Sequence, residues 1–164
     1  MSKTTHELIF VIDRSNSMKG LEEKTAEIVN TFIRKKRLEN VDTFVSLILF
    51  SEHTETVYYR APLDKVEEMN IEGYIASGKA AVLDAIGTTA HNAFIVFCNL
   101  EDNMRPVKTT YVIITRGEEE TSIIYSLNMV KKLIARHTGL FGSEFIFPIA
   151  GMDVIEAFEE RKVY

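Results

Sequence analysis

The chain has 164 residues, of which 46% are hydrophobic and 26% charged, a composition typical of a folded globular protein and unlike that of a disordered one. Its formal net charge of −5 argues against a surface built for nucleic acid, which needs clustered Lys and Arg. No stretch approaches the roughly 20 apolar residues of a membrane span, and the polar amino terminus lacks the apolar stretch of a signal peptide. We therefore expect a single cytoplasmic domain over residues 1–164, with neither nucleic acid nor membrane as its partner.

The first third of the chain predicts a helix between two buried strands, followed by a hairpin. Residues 8–12 form a continuous apolar run, which is typical of a strand covered on both faces. Apolar residues recur at helical spacing over residues 20–37, and residues 45–50 predict a second buried strand. Residues 54–60 predict a third strand, and the break before it is short enough to require an antiparallel pairing with the second strand.

The remaining chain predicts further alternation of helix and strand. Residues 62–74 have no clear period and predict one short helix with a connection. Residues 80–100 are almost wholly apolar at helical spacing and predict a buried helix, with Cys98 in the core and Gly87 where another backbone passes close. Residues 109–115 predict a strand, and residues 122–137 predict an amphipathic helix with Ile123 inward. Residues 144–149 predict the last strand, and residues 153–161 a last helix capped by Asp153 and Glu156.

This order of elements predicts an α/β fold with a mostly parallel central sheet, one antiparallel edge strand and helices on both faces. In such a sheet the functional loops follow the carboxyl ends of the parallel strands. The first strand delivers Asp13, Ser15 and Ser17 to that edge, and their alternation lets one tight loop aim three oxygen ligands at one point, as Mg²⁺ prefers. The alternative is a turn followed by a serine cap for the next helix.

Four segments that occur in the same order resemble the von Willebrand factor A (vWA) family, and more closely its stand-alone bacterial members. They are residues 10–18 (FVIDRSNSM), 49–51 (LFS), 78–87 (GKAAVLDAIG) and 111–119 (YVIITRGEE). The resemblance covers about residues 6–160. It implies a three-layer, Rossmann-like fold and a protein-binding module with a metal-ion-dependent adhesion site (MIDAS), in which a divalent cation held by three loops receives a carboxylate of the partner.

Only part of that ion site carries over to this chain. Asp13, Ser15 and Ser17 match the first loop, whereas Ala80 stands where the family has threonine and Arg116 where it has aspartate. Arg116 replaces a negative charge with a permanent positive one, and a guanidinium that faces Asp13 can form a charge-assisted pair with it. We expect Arg116 to substitute for the metal, so that the remnant site binds Mg²⁺ weakly or not at all and no cofactor is needed.

The hypothesis that follows is a non-enzymatic module that binds another protein, through an acidic residue of that partner, at this degenerate site. Arg14 and Lys79 lie in the same loops and add positive charge, although each can also be an ordinary solvated residue. The second hypothesis is a Mg²⁺-dependent module that uses Asp13, Ser15, Ser17 and waters.

The third hypothesis is an enzyme or a nucleotide-binding protein on the same fold. The sequence offers no glycine-rich phosphate loop, no histidines at metal-ligand spacing and no general base placed to activate a serine. Two charged runs have plain structural interpretations. The basic residues 34–37 offset the dipole at a helix end. The acidic residues 118–120 form a solvated loop, with the alternative that they offer replacement carboxylates to a displaced ion.

Overall fold

The computed structural model describes residues 4–161 of the chain. Its strands are β1 (Thr5–Asp13), β2 (Asp42–Phe50), β3 (Thr54–Pro62), β4 (Lys108–Ile114) and β5 (Glu144–Ile146). Its helices are α1 (Glu22–Glu39), α2 (Val82–Asn99), α3 (Leu127–Phe141) and α4 (Val154–Glu160). Short 3-10 turns occupy Asn16–Met18, Leu63–Lys65, Ile71–Gly73 and Asp102–Met104.

The five strands form one sheet in the order β3-β2-β1-β4-β5. All neighbouring pairs are parallel except β2 and β3, which form the antiparallel hairpin. The prediction of a mostly parallel sheet with one antiparallel edge strand is therefore confirmed. The register aligns Asp13 of β1 with Phe50 of β2, and Ile12 of β1 with Ile114 of β4, so the loops after β1 and β4 begin side by side.

Helices cover both faces of the sheet and divide its core into two layers. Along β1, Ile9 and Val11 point to the layer under α2, α3 and α4, whereas Leu8, Phe10 and Ile12 point to the layer under α1. A strand that is buried on both faces needs apolar residues at every position, which explains the unbroken apolar run of β1. Burial of each such side chain contributes about 1.5–3 kcal/mol.

The start of α3 differs from the prediction. The helix begins at Leu127 instead of residue 122, and Ile123, which was expected to point inward, is 92% exposed. The carboxylate of Asp84 in α2 accepts the main-chain N–H groups of residues 123–125, at 2.8–2.9 Å, and so holds them outside a helix. Ser126 then caps α3 by accepting the N–H of Met129.

Three smaller predictions were also wrong. Cys98 is exposed, not in the core, because the second half of α2 buries only one side against the sheet. Residues 62–74 contain two 3-10 turns and no α-helix. Strand β5 ends at Ile146, because a turn closed by the bond from Gly151 N to Phe147 O follows it.

The last helix begins as the sequence indicates. The side chain of Asp153 accepts the N–H groups of Ile155 at 2.9 Å and Glu156 at 3.3 Å, which caps α4. Within residues 4–161, no helix has both the length and the hydropathy needed to cross a membrane.

Candidate functional site

Asp13 lies at the carboxyl end of β1 and is completely buried. Its Oδ1 accepts the main-chain N–H of Ser15 at 2.7 Å, and its Oδ2 accepts the hydroxyl of Thr115 at 2.8 Å. Thr115 directly follows β4, so the carboxylate joins the two neighbouring parallel strands where their loops begin. The hydroxyl of Tyr74 also donates to the main-chain oxygen of Asp13.

The two serines of the first loop converge, as predicted. The Oγ atoms of Ser15 and Ser17 lie 2.9 Å apart, with Ser15 buried and Ser17 partly exposed. Main-chain bonds fix this loop against the segment before α2: Asn16 N donates to Gly78 O, and Ser77 N donates to Arg14 O, both at 2.8 Å. The convergence of the serines is thus a property of two loops, not of the first loop alone.

Arg116 does not form the expected pair with Asp13. Its Nη1 donates instead to the main-chain oxygen of Ser17, at 3.5 Å, and its side chain is exposed. Successive residues of an extended chain point to opposite sides, so Thr115 and Arg116 cannot both face Asp13. Thr115, which the sequence reasoning overlooked, takes the inner place. The signal for it was a hydroxyl residue that ends a buried strand beside the strand ending in Asp13.

Ala80 contributes no polar group to the site. Its side chain is fully buried in the core under α2. Its main-chain N–H donates to Glu120 Oε1 at 3.1 Å, and its oxygen accepts the N–H of Glu120 at 2.8 Å. The position where the family has a threonine hydroxyl therefore holds a methyl group packed against the sheet.

The acidic run is more than a solvated loop. Glu119 Oε1 accepts the N–H of Leu83 at 3.0 Å, and Glu120 accepts that of Ala80, so two of its three carboxylates bind main-chain groups at the start of α2. Negative charge at a helix amino terminus is favourable, because the first N–H groups of a helix have no acceptor within it. Glu118 is exposed.

The positive side chains of the site fall into two groups. Arg14 forms an ion pair with Glu55, in which Nη1 and Oε2 are 3.1 Å apart. The side chains of Lys79 and Arg116 are exposed, and neither forms an ion pair with any residue in the described range 4–161. Lys79 and Arg116 thus carry positive charge at this edge that no acidic side chain in the described range neutralises.

The electrostatics of Asp13 reflect its enclosure. Burial raises the pKa of Asp13 above its usual value of 3.8, against the opposing effect of hydrogen bonds from Ser15 and Thr115, and the negative charge of Glu120 raises it further. Burial and the charge of Asp13 together raise the pKa of Tyr74. Asp13 is accordingly a carboxylate that neutral donors hold without a cationic side chain beside it.

The fold and the ordered loops identify the chain with one family. It matches the von Willebrand factor type A domain family over residues 7–145. The chain belongs to that family. Among curated proteins its sequence has no significant match.

Solved structures with the same fold share little of its sequence. The vWA chain is 16% identical to the conserved hypothetical protein BatB from Bacteroides thetaiotaomicron, at a TM-score of 0.53, covering 86% of this chain and 64% of BatB. It is 17% identical to an aerotolerance-related membrane protein from Bacteroides fragilis, a variant with multiple mutations to serines. The TM-score is 0.53, and the match covers 86% of this chain and 65% of that protein. It is 13% identical to proximal thread matrix protein 1 of the mussel byssus, with a TM-score of 0.56, and the match covers 88% of this chain and 38% of that protein.

At these identities the likeness shows the fold alone. The chain also spans less than two thirds of the length of each of these structures.

A divalent ion is what the vWA family implies here, and the residues present do not fit one. Both oxygens of Asp13 already accept hydrogen bonds from neutral donors, and Ala80 offers only a methyl group. The uncommitted side-chain ligands are the hydroxyls of Ser15 and Ser17, and Arg116, bonded to the main-chain oxygen of Ser17, adds a permanent positive charge to the same loop. Within the described part of the chain, no group of three or more His, Cys, Asp or Glu side chains is arranged to hold a metal.

Proposed function

We propose that this vWA domain is a non-enzymatic protein-interaction module that binds its partner at the carboxyl edge of the sheet without a divalent ion. The observation that carries the proposal is the place of Arg116. Its Nη1 donates to the main-chain oxygen of Ser17, so a permanent positive charge lies on the same loop as the two serine hydroxyls. A fixed positive charge there repels a metal ion and attracts a carboxylate.

An acidic side chain of a partner protein is the group that this edge suits best. A guanidinium can form two parallel hydrogen bonds with a carboxylate, and Arg116 has no acidic partner among residues 4–161. Lys79 supplies a second free positive charge. Arg14 contributes less, because Glu55 already neutralises it.

The other predicted site residues support this surface from below. Asp13, Ser15 and Ala80 are fully buried, so a partner reaches Ser17, Lys79 and Arg116 first. The role we assign to Asp13 is to hold the first loop through Ser15 and to join it to Thr115.

The surroundings of the serines favour binding over catalysis. A serine nucleophile needs a general base in hydrogen-bond contact, most often histidine. The two more buried histidines have other partners. Nε2 of His137 lies 2.7 Å from the main-chain oxygen of Ala90, and Nδ1 of His6 lies 3.0 Å from Nζ of Lys36. The hydroxyls of Ser15 and Ser17 contact each other instead.

One observation favours the second candidate, a Mg²⁺-dependent module. The Ser15 and Ser17 hydroxyls, whose oxygens are 2.9 Å apart, are close enough to bind one ion. In that case waters would complete the coordination of Mg²⁺, which commonly keeps several of them.

Thermal unfolding in excess EDTA and in millimolar Mg²⁺ or Mn²⁺ separates the two candidates. An ion that binds only the folded state raises the free energy of unfolding, by roughly 2.7 kcal/mol when the ion concentration is about 100 times Kd. The comparison uses wild type and the double variant Ala80→Thr, Arg116→Asp. We expect no response of wild type and a stabilised double variant. A clear rise in the melting temperature of wild type would show that the ion binds and that the metal-free proposal is wrong.

The partner surface is tested with peptides selected from a random display library on the folded domain. We expect the enriched peptides to contain Asp or Glu, to bind equally well in EDTA, and to lose binding to Arg116→Glu. The matched control is Arg136→Glu, an equal change of charge at an exposed position of α3. Enriched peptides without acidic residues, or equal binding to both variants, would contradict the proposed surface.

A further inference from the structure

A second candidate site lies away from the partner surface, between α2 and the strands β1, β2 and β3. It is a cavity of about 90 Å³, and none of the residues proposed for the partner surface lines it. Its floor is apolar and consists of the buried side chains of Ile9, Ile48 and Phe97. Polar groups converge on the cavity from four elements: Glu7, Ser46, Thr56, Arg60, Thr88 and Thr89. An apolar floor with a few convergent polar groups is the usual form of a small-molecule site.

Glu7 is the group that makes this cavity unusual. Its side chain is only 1% exposed, and both Arg60 Nε, at 2.8 Å, and Arg60 Nη2, at 2.6 Å, donate to the same oxygen, Oε1. No residue in the described range donates to Oε2, although Glu7 lines the cavity. Oε2 can therefore accept a hydrogen bond from a molecule that enters the cavity, which would stabilise this carboxylate in its buried position.

The chain adopts an unfavourable backbone to place Arg60 at this cavity. Arg60 has φ of +43°, in the left-handed region that residues other than glycine rarely enter. The pairing of β2 with β3 shifts register between Val45 and Leu47, and Ser46 Oγ accepts the N–H of Arg60 at 3.0 Å in place of a regular ladder bond. Such bulges re-aim side chains and are frequent beside functional sites. The guanidinium carbon also lies 4.7 Å from the ring centre of Phe44, which fixes it further.

We propose that this cavity binds a small neutral molecule that donates an N–H or O–H to Glu7 Oε2. Neutrality follows from charge, because Arg60 already balances Glu7 and a charged ligand would leave one buried charge uncompensated. The hydroxyls of Thr88 and Thr89 on α2 make no hydrogen bond with a residue in the described range and can serve the acceptor of the ligand. A primary amide with a short apolar tail presents the donor, the acceptor and the apolar part together.

The size of the cavity limits the ligand to a few atoms. Its volume of about 90 Å³ is roughly three fifths of the 150 Å³ or so of an apolar cavity that holds the six carbons of benzene, so about four non-hydrogen atoms fit inside and a fifth can lie at the mouth, where Asn92 is exposed. We expect a ligand of this size to bind with Kd on the order of 1 mM. The corresponding binding free energy per non-hydrogen atom lies between that of drug-sized ligands and that of the best very small ligands.

Propionamide is the probe, and propionate is its matched charged control with the same number of non-hydrogen atoms. We would titrate each into isotope-labelled wild type and follow the amide signals of Thr88, Thr89 and Ile48 by NMR. We expect saturable shifts with propionamide and at least tenfold weaker binding of propionate. Linear shifts with propionamide, or equal affinities for the two compounds, would overturn the proposal, and neither result depends on a variant.

A pair of variants locates the binding. Ala93 faces the cavity from α2, and Ala93→Leu fills it while preserving a good helix former. Ala135→Leu makes the same change at an exposed position of α3. We expect propionamide binding to be lost in Ala93→Leu and retained in Ala135→Leu, with thermal unfolding confirming that both fold. Binding that survives in a folded Ala93→Leu would place the ligand elsewhere and refute the assignment.

Discussion

Gly87 in α2 gives a prediction whose sign is opposite to the usual effect of glycine in a helix. A Cβ at this position would lie 2.3 Å from Cγ and 2.5 Å from Cδ1 of Tyr125, well inside van der Waals contact. Replacing helical glycine by alanine ordinarily stabilises by about 1 kcal/mol. Here the extra carbon must displace the base of an aromatic ring, and overpacking of this kind costs about 1–3 kcal/mol. We therefore expect Gly87→Ala to destabilise the domain by about 1 kcal/mol net.

Urea unfolding of wild type and four variants measures this effect. Gly139→Ala in α3 is the matched control, because its added Cβ meets no atom within 4 Å and should stabilise by about 0.5–1 kcal/mol. In a Tyr125→Ala background the clash disappears, so Gly87→Ala should there become stabilising and the double-mutant cycle should show coupling of at least about 1 kcal/mol. The reasoning fails if Gly87→Ala stabilises the wild-type background as Gly139→Ala does.

Three further predictions concern buried polar groups. Arg60→Leu leaves Glu7 buried without its partner and should destabilise by about 3–5 kcal/mol at pH 7 in urea unfolding, whereas a smaller loss is expected when Glu7→Leu accompanies it. Burial raises the pKa of Glu7 above its usual 4.5, so the folded state holds this proton more tightly than the unfolded state, and stability falls as pH rises past 4.5. Unfolding measured from pH 4 to 7 should therefore show Glu7→Gln gaining stability relative to wild type as pH rises, and a constant difference would contradict this sign. Asp84→Ala removes the acceptor of three N–H groups, so hydrogen exchange of residues 123–125 should accelerate at least about tenfold, with that of β1 unchanged.

The parts of the fold that the sequence predicted well are those that local pattern determines. Apolar runs located β1, β2 and β4, and the short break after β2 required the antiparallel hairpin. The start of α3 was missed because a residue far away in the chain decides it. Asp84 competes for the N–H groups of residues 123–125, and no periodicity within 122–137 reveals that competition.

In the candidate site, too, the sequence predicted the contacts between neighbours in the chain and missed one between residues far apart in it. Asp13, Ser15 and Ser17 were placed together because they are neighbours in one loop. The partner of Asp13 was misassigned, since charge alone favoured Arg116 while the alternation of side chains after β4 gives the contact to Thr115.

Thr115 binds Asp13 in the interior, whereas Arg116 is exposed, and this exposure limits how much affinity Arg116 can give to the proposed surface. An exposed Arg–carboxylate pair contributes only about 0–1 kcal/mol, so Arg116 can orient an acidic partner but cannot supply most of the binding energy. Apolar side chains must supply the rest, and the loops of this edge expose several, among them Ile75 at 70% and Ile123 at 92%. Ile75 lies between Tyr74 and Ser77, both bonded to the first loop, and Asp84 anchors the main chain of Ile123, so neither needs much ordering on binding. On this reasoning, peptides selected on the domain should carry an apolar residue near the acidic one, with the carboxylate setting their register on Arg116.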